Sequence, residues 1–122
     1  MDTKIATSMK IKELSERIEG KVVCGEDRLD EEIACGFSSD LMSDVLTTSS
    51  DKLVLITGLS NVQLIRTAEM SDISYIVMVR GKKVSDEMLT LARENDMVLI
   101  ETNYSMFRTS GVLFSAGIKP IF

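Results

Sequence analysis

The chain has 122 residues, the length of one domain, with 44% apolar and only 5% aromatic residues. Fourteen Lys and Arg against nineteen Asp and Glu give a net charge of −5, which argues against a nucleic-acid binder, whose signature is a basic stripe. No apolar run approaches the length of a membrane span.

One domain is therefore expected over residues 1–122, with a loose start at 1–8 and an apolar tail at 118–122. A domain of this size buries about two thirds of its unfolded surface. With so few aromatics, Ile, Leu, Val and Met must fill the core. The eight Met are expected as adaptable core filler.

After the loose start, Ile11, Leu14 and Ile18 recur at helical spacing. Glu13 and Arg17 form a favourable pair four apart, and Gly20 supplies a stop. Lys21-Val22-Val23-Cys24 reads as a short strand, ended by Gly25 and the acidic loop Glu26-Asp27-Arg28-Leu29-Asp30-Glu31-Glu32. Ile33-Ala34-Cys35-Gly36-Phe37 is a second strand. A helix is expected over residues 40–47, with Leu41, Met42, Val45 and Leu46 turned inward.

Leu53-Val54-Leu55-Ile56 is a continuous apolar run, the pattern of a strand buried on both faces. Ser60-Asn61-Val62-Gln63 predicts a capping box, with Ser60 at the cap and Val62, Ile65 and Ala68 on one side of the helix. Tyr75-Ile76-Val77-Met78-Val79 is the next strand, followed by the basic turn Arg80-Gly81-Lys82-Lys83, read as a solvated loop. Ser85-Asp86-Glu87 caps another helix. Met97-Val98-Leu99-Ile100 is a final strand, and Thr102-Asn103 precede a last helix running to about Ala116.

Alternating strands and helices with short connections predict an α/β fold: three layers, α/β/α, around a mostly parallel sheet. In such sheets ligands gather at the carboxyl ends of the strands, where helices begin. Ser38-Ser39-Asp40, Thr57-Gly58-Leu59-Ser60-Asn61 and Thr102-Asn103-Tyr104-Ser105 are expected at that edge. Helix starts attract anions, so a small anion or a nucleotide is the ligand class this pattern admits. Helix capping alone calls for the same residue types. The candidate ligand-binding residues are Gly36, Ser38, Ser39, Asp40, Thr57, Asn61, Thr102 and Asn103.

Catalysis finds little support. The chain has no His, which removes Ser–His and Cys–His nucleophilic schemes. It has neither GxxxxGK[ST] nor GxGxxG. Asp40 and Asp44, four apart, would share a helix face, yet two carboxylates are a weak metal signal. Arg66 and Lys52 could meet a phosphate, but neither stands in a motif. Cys24 and Cys35 have neither CxxC nor metal-ligand spacing, so buried thiols are expected. No cofactor, resident metal or catalytic residue is assigned. The first residues lack a basic segment followed by an apolar stretch, so a cytoplasmic location is expected.

The last helix carries Ser105, Ser110, Gly111 and Ser115 among Met106, Phe107, Leu113 and Phe114. A glycine inside a helix costs about 1 kcal/mol relative to Ala. Gly111 therefore implies close packing, either on its own sheet, the preferred of the two, or across a dimer.

The residues then resemble the DRTGG domain family over about residues 10 to 117. The likeness runs from Leu14 through Val22-Val23-Cys24-Gly25 and Leu29-Asp30. It is clearest at Cys35-Gly36-Phe37-Ser38-Ser39-Asp40-Leu41-Met42-Ser43-Asp44-Val45-Leu46. It continues at Ile56-Thr57, Asn61-Val62-Gln63, Ile76-Val77-Met78-Val79, Leu91-Ala92 and Thr102-Asn103-Tyr104-Ser105-Met106-Phe107. The naming motif is degraded. Asp30 keeps its aspartate, Glu31 replaces arginine, Cys35 replaces the first glycine, and only Gly36 remains.

The resemblance implies a domain like the N-terminal domain of HPr kinase/phosphorylase, of the regulatory or ligand-binding kind. Without a phosphate loop, kinase activity is not expected. The Gly36–Leu46 stretch resembles a subgroup of short, stand-alone members, some encoded beside iron-only hydrogenase components, which implies a link to redox metabolism. The functional expectation is a non-catalytic regulatory module, a homodimer, that takes a small anionic or nucleotide ligand or a partner enzyme at the strand-end edge. The alternatives are a protein–protein scaffold without a small ligand and, behind it, an unrecognised phosphotransfer or hydrolytic enzyme using Asp40 or Asp44.

Overall fold

The computed structural model describes residues 8–46 and 51–122. In chain order the elements are β1 (Met9–Lys10), α1 (Ile11–Arg17), β2 (Lys21–Cys24), a 3-10 turn (Glu26–Arg28), β3 (Glu32–Ile33), β4 (Cys35–Ser38) and α2 (Met42–Leu46). They continue with β5 (Leu53–Thr57), α3 (Val62–Met70), β6 (Tyr75–Met78), α4 (Asp86–Glu94), β7 (Val98–Glu101), α5 (Met106–Ser115) and β8 (Lys119–Pro120). A six-stranded sheet has the order β2-β7-β6-β5-β4-β8, and β1 and β3 pair separately. All neighbours from β7 to β8 are parallel, and β2 closes the far edge antiparallel to β7.

Alternation along the central strands builds the three layers. Leu53 and Leu55 of β5, Ile76 and Met78 of β6, and Leu99 of β7 pack under α2, α3 and α4, against Val45, Leu64, Ile65, Met88 and Ala92. Their neighbours Val54, Ile56, Val77, Val98 and Ile100 face the opposite side, against Ile11, Leu14 and Ile18 of the first helical segment and Leu113 of α5. Both faces of β5 are covered, so the strand is buried along its whole length. Its unbroken apolar run follows from that position.

The chain steps outward from β4 to β7 with α2, α3 and α4 on one face. Helix α5 then carries it back across the other face to β8, beside β4. Strands β4, β5, β6 and β7 therefore end side by side at one edge. The residues that follow them are brought together there.

Some local expectations change. Asn61, not Ser60, caps α3: its side chain accepts from the Leu64 N–H at 2.9 Å. The Ser60 hydroxyl instead donates to the Lys83 carbonyl. Helix α2 starts at Met42, and the expected end at residue 47 lies outside the described residues. Of its inward set Val45 is buried and Met42 partly buried against the same layer, while Leu41, which precedes the helix, and Leu46, its last residue, are exposed. Helix α5 is capped by Ser105 and ends at Ser115. Cys24 is buried as expected, but Cys35, near the sheet margin, is only half-buried. Residues 1–7 of the expected loose start lie outside the described residues. Ser8 is described, and its hydroxyl donates to Glu32 Oε1 at 2.8 Å.

Candidate ligand-binding edge at the strand carboxyl ends

The edge begins where β4 runs out. The Ser39 N–H still bonds to the Ile56 carbonyl at 3.0 Å, extending the ladder one residue past the strand. The Ser39 hydroxyl accepts from the Leu41 N–H at 3.0 Å, which turns the chain toward α2, and lies 3.4 Å from Asp44 Oδ2. Asp40 swings across to the end of β5. Its Oδ1 accepts from the Gly58 N–H at 2.6 Å and from the Thr57 hydroxyl at 3.1 Å. A carboxylate taking two donors in this way is held in one orientation. Asp40 precedes α2 and is turned toward Thr57, so it does not share a helix face with Asp44.

The second oxygen of Asp40 faces a cation. Arg80 Nη2 lies 4.0 Å from Asp40 Oδ2, beyond hydrogen-bond reach, with the Arg80 side chain about half exposed. Arg80 follows β6 in a left-handed conformation, φ 59°. Its N–H bonds to the Tyr104 carbonyl at 2.8 Å, and the Gly81 N–H bonds to the Thr102 carbonyl at 3.0 Å. These two bonds tie the ends of β6 and β7 together and send the guanidinium back over β5. There it lies against Gly58, in space that a Cβ would occupy.

The candidate residues separate into groups. Ser39, Asp40 and Thr57 meet at the edge. Asn103 is also there, exposed, its Oδ1 beside Gly81. Thr57 and Thr102 are buried and serve as matching turns after β5 and β7. Each Oγ1 accepts from the N–H two residues on, Leu59 and Tyr104 respectively, both at 3.1 Å. Thr102 also donates to the Ile18 carbonyl at 2.6 Å, which anchors the end of α1. Asn61 is occupied as a helix cap.

Gly36 and Ser38 lie elsewhere. They line an apolar groove of about 450 Å³ between α5 and the C-terminal tail. The Ser38 hydroxyl is 2.7 Å from that of Ser110 on α5. Gly111, expected to pack on the sheet, is exposed: a Cβ there would meet no atom of the described residues within 4 Å.

Sequence reasoning placed Gly58 at this edge within the 57–61 segment without making it a candidate, and read Arg80 as part of a solvated turn. A signal was available. Thr57-Gly58 and Arg80-Gly81 both follow a buried apolar strand, so their parallel position in consecutive strand–helix units places both at one edge. Arg66 and Lys52, considered for a phosphate, are elsewhere. Arg66 sits on α3 facing Asp86, Glu87 and Glu94 of the α4 segment, and Lys52 precedes β5 at the opposite end of the sheet. Among the described residues no group of three or more His, Cys, Asp or Glu could hold a metal ion. No helix among them is long and apolar enough to cross a membrane.

Comparison with known proteins agrees on the fold. A solved structure with the same architecture is the CBS and DRTGG region of the regulatory part of Clostridium perfringens pyrophosphatase, complexed with its activator diadenosine tetraphosphate. The TM-score is 0.71 at 15% identity, over 85% of this chain and 45% of that one. This chain thus spans less than half the length of that regulatory region. No curated protein sequence matches. The profile of the DRTGG domain family matches residues 13–116, nearly the whole sequence, and the chain belongs to that family.

Proposed function

We propose that this chain is a non-catalytic regulatory module of the cytoplasm. It receives a small anionic ligand, of the nucleotide class, at the edge formed by Asp40, Gly58, Arg80 and Asn103, and works as a homodimer. The observation that carries the ligand reading is Arg80. Its guanidinium is laid over Gly58 and faces Asp40 at a distance too long for a hydrogen bond. A guanidinium that donates no hydrogen bond among the described residues suits a phosphate, and Asp40 Oδ2, which accepts none among them, suits a sugar hydroxyl. A nucleotide carries both groups. The pyrophosphatase regulatory region of the same fold takes a dinucleotide activator, which supports the class of ligand.

The sequence supplies no histidine and no phosphate loop, and the Asp40 carboxylate is committed on one oxygen to Thr57 and Gly58. Binding with a structural response is therefore a better reading than turnover.

Isothermal titration with AMP, ATP, diadenosine tetraphosphate and inorganic phosphate tests the proposal. Saturable binding of one of them, lost in Arg80→Ala, is expected. A ligand at a hundred times its Kd would also stabilise the fold by about 2.7 kcal/mol, readable as a rise in Tm. Absence of binding by every anion, or binding unaffected by Arg80→Ala, overturns the reading.

A further inference from the structure

The groove beside α5 is not used by the ligand edge. Ile56, Leu113 and Ile118 form its floor. Three phenylalanines stand at its rim, with Phe107 88%, Phe114 66% and Phe122 86% exposed. Phe107, Gly111 and Phe114 are spaced i, i+4 and i+7, on one stripe of the helix. Gly111 has open space where a side chain would be. It therefore opens a gap between two projecting rings that no other described residue fills.

We infer that this face is the contact between two copies of the chain. The two α5 helices cross at Gly111, and Phe107 and Phe114 of each copy enter the groove of the other. The inference rests on the homodimer reading above and is independent of any ligand at Arg80.

Three features favour a second copy. A twofold contact joins a patch to itself, so the patch must hold both projections and a recess. This one holds the phenylalanines, the Gly111 gap and the groove. The area is also adequate: three rings at these exposures bring roughly 400–600 Å² per copy. The flanking Met106, Ile121 and Pro120 extend that toward the roughly 800 Å² per partner of a stable interface. Finally, Lys119 is the one charged residue among the described residues that line the groove, so two chains of net charge −5 meet where charge is sparse. An added β-strand fits less well, because the edge strand β8 ends in Pro120, which has no N–H to offer.

Gly111→Gln is the discriminating variant. It adds a good helix former in open space, so the monomer keeps its fold, but it fills the crossing point. Sedimentation equilibrium of the full chain at micromolar concentration should give twice the monomer mass for the parent. Gly111→Gln and the pair Phe107→Ser with Phe114→Ser should associate at least tenfold more weakly, with unchanged far-UV circular dichroism. A parent that stays monomeric, its groove then open to some other partner, overturns both this inference and the homodimer reading. A dimer that Gly111→Gln leaves as tight as the parent overturns the surface assigned here and leaves the homodimer reading standing.

Discussion

Arg80 lies across Gly58 so closely that residue 58 has no room for a side chain without moving the guanidinium. The two residues come from the ends of neighbouring parallel strands, and their contact fixes where positive charge sits at the edge. The obstacle is the far end of a long side chain, which can swing aside. Gly58→Ala is thus expected to change stability by less than about 1 kcal/mol while displacing Arg80. Anion affinity should fall toward that of Arg80→Ala. Urea denaturation and titration on the same preparation would separate the two effects. A large loss of stability with unchanged affinity would refute the positioning role.

Asp40 poses the opposite case, in which a side chain holds backbone in place. Its Oδ1 is the acceptor for the Gly58 N–H and the Thr57 hydroxyl. Removing it leaves a buried N–H without that partner, at a cost of roughly 1–3 kcal/mol. Asp40→Ala should therefore lower stability by that amount. Asp40→Asn, which keeps an acceptor oxygen, should lose less than half as much. Equal losses in urea-unfolding midpoints for the two variants would contradict this account.

The sheet was legible from residues 53 to 101 because burial on both faces writes long apolar runs, and short connections leave few topologies. The edge was half legible. Ser39, Asp40, Thr57, Asn61 and Thr102 all announce themselves as turn and cap residues, and the structure shows each at such work: Ser39, Thr57 and Thr102 in turns, Asp40 on the Gly58 N–H and Asn61 as a helix cap. Sequence does not separate a hydroxyl that serves the backbone from one left for a ligand. Arg80 was hidden differently. In the turn Arg80-Gly81-Lys82-Lys83 it looks like any solvated cation, and only its left-handed backbone, tied to Tyr104, turns it inward. Gly111 misled because the energetic cost of a helical glycine says that space matters there, without saying on which side.

The opposite end of the sheet holds a cluster with a pH signature. Arg28 Nε and Nη2 donate to the two oxygens of Glu31 at 2.9 and 2.8 Å, and the Tyr75 hydroxyl donates to Glu31 at 2.6 Å. The hydrogen bonds from Arg28, then Tyr75, hold the Glu31 carboxyl below its ordinary value of 4.5. A depressed folded pKa contributes stability that is present above the unfolded value and lost as pH falls through the folded one. Glu31→Gln should be less stable than the parent at neutral pH. The gap should hold down to about pH 5 and close below it. It should be modest, because the Glu31 side chain is 42% exposed. Unfolding midpoints in urea across pH 2–8 would show this (roughly one point per pH unit suffices). A gap that widens in acid would reverse the sign and refute the assignment.

Cys24 should resist modification. Burial pushes its thiol above the ordinary value, with the Arg93 charge opposing, and the residue is 1% exposed. Thiolate is the reactive form, so native-state alkylation at neutral pH should label Cys35 first. Cys24 should be labelled only at the rate of unfolding. Peptide mapping after iodoacetamide treatment, with and without urea, checks this, and rapid native labelling of Cys24 would contradict it.

Gly25 tests the other way a glycine can be required. It closes β2 with φ 83°, a conformation that L side chains rarely adopt. A Cβ there would also lie 3.0 Å from both the Met97 carbonyl oxygen and Val98 Cα. Those are backbone atoms at the entry to β7, the strand paired with β2, and they cannot swing aside as the Arg80 guanidinium can. Strain and overlap should add, so Gly25→Ala is expected to cost about 2–4 kcal/mol. The loss should fall on the β2–β7 edge, seen as faster amide exchange in residues 98–101, while the edge around Asp40 keeps its anion affinity in the folded fraction. A Gly25→Ala variant as stable as Gly58→Ala would mean that β2 shifts freely against β7, contrary to the pairing of Cys24 with Leu99.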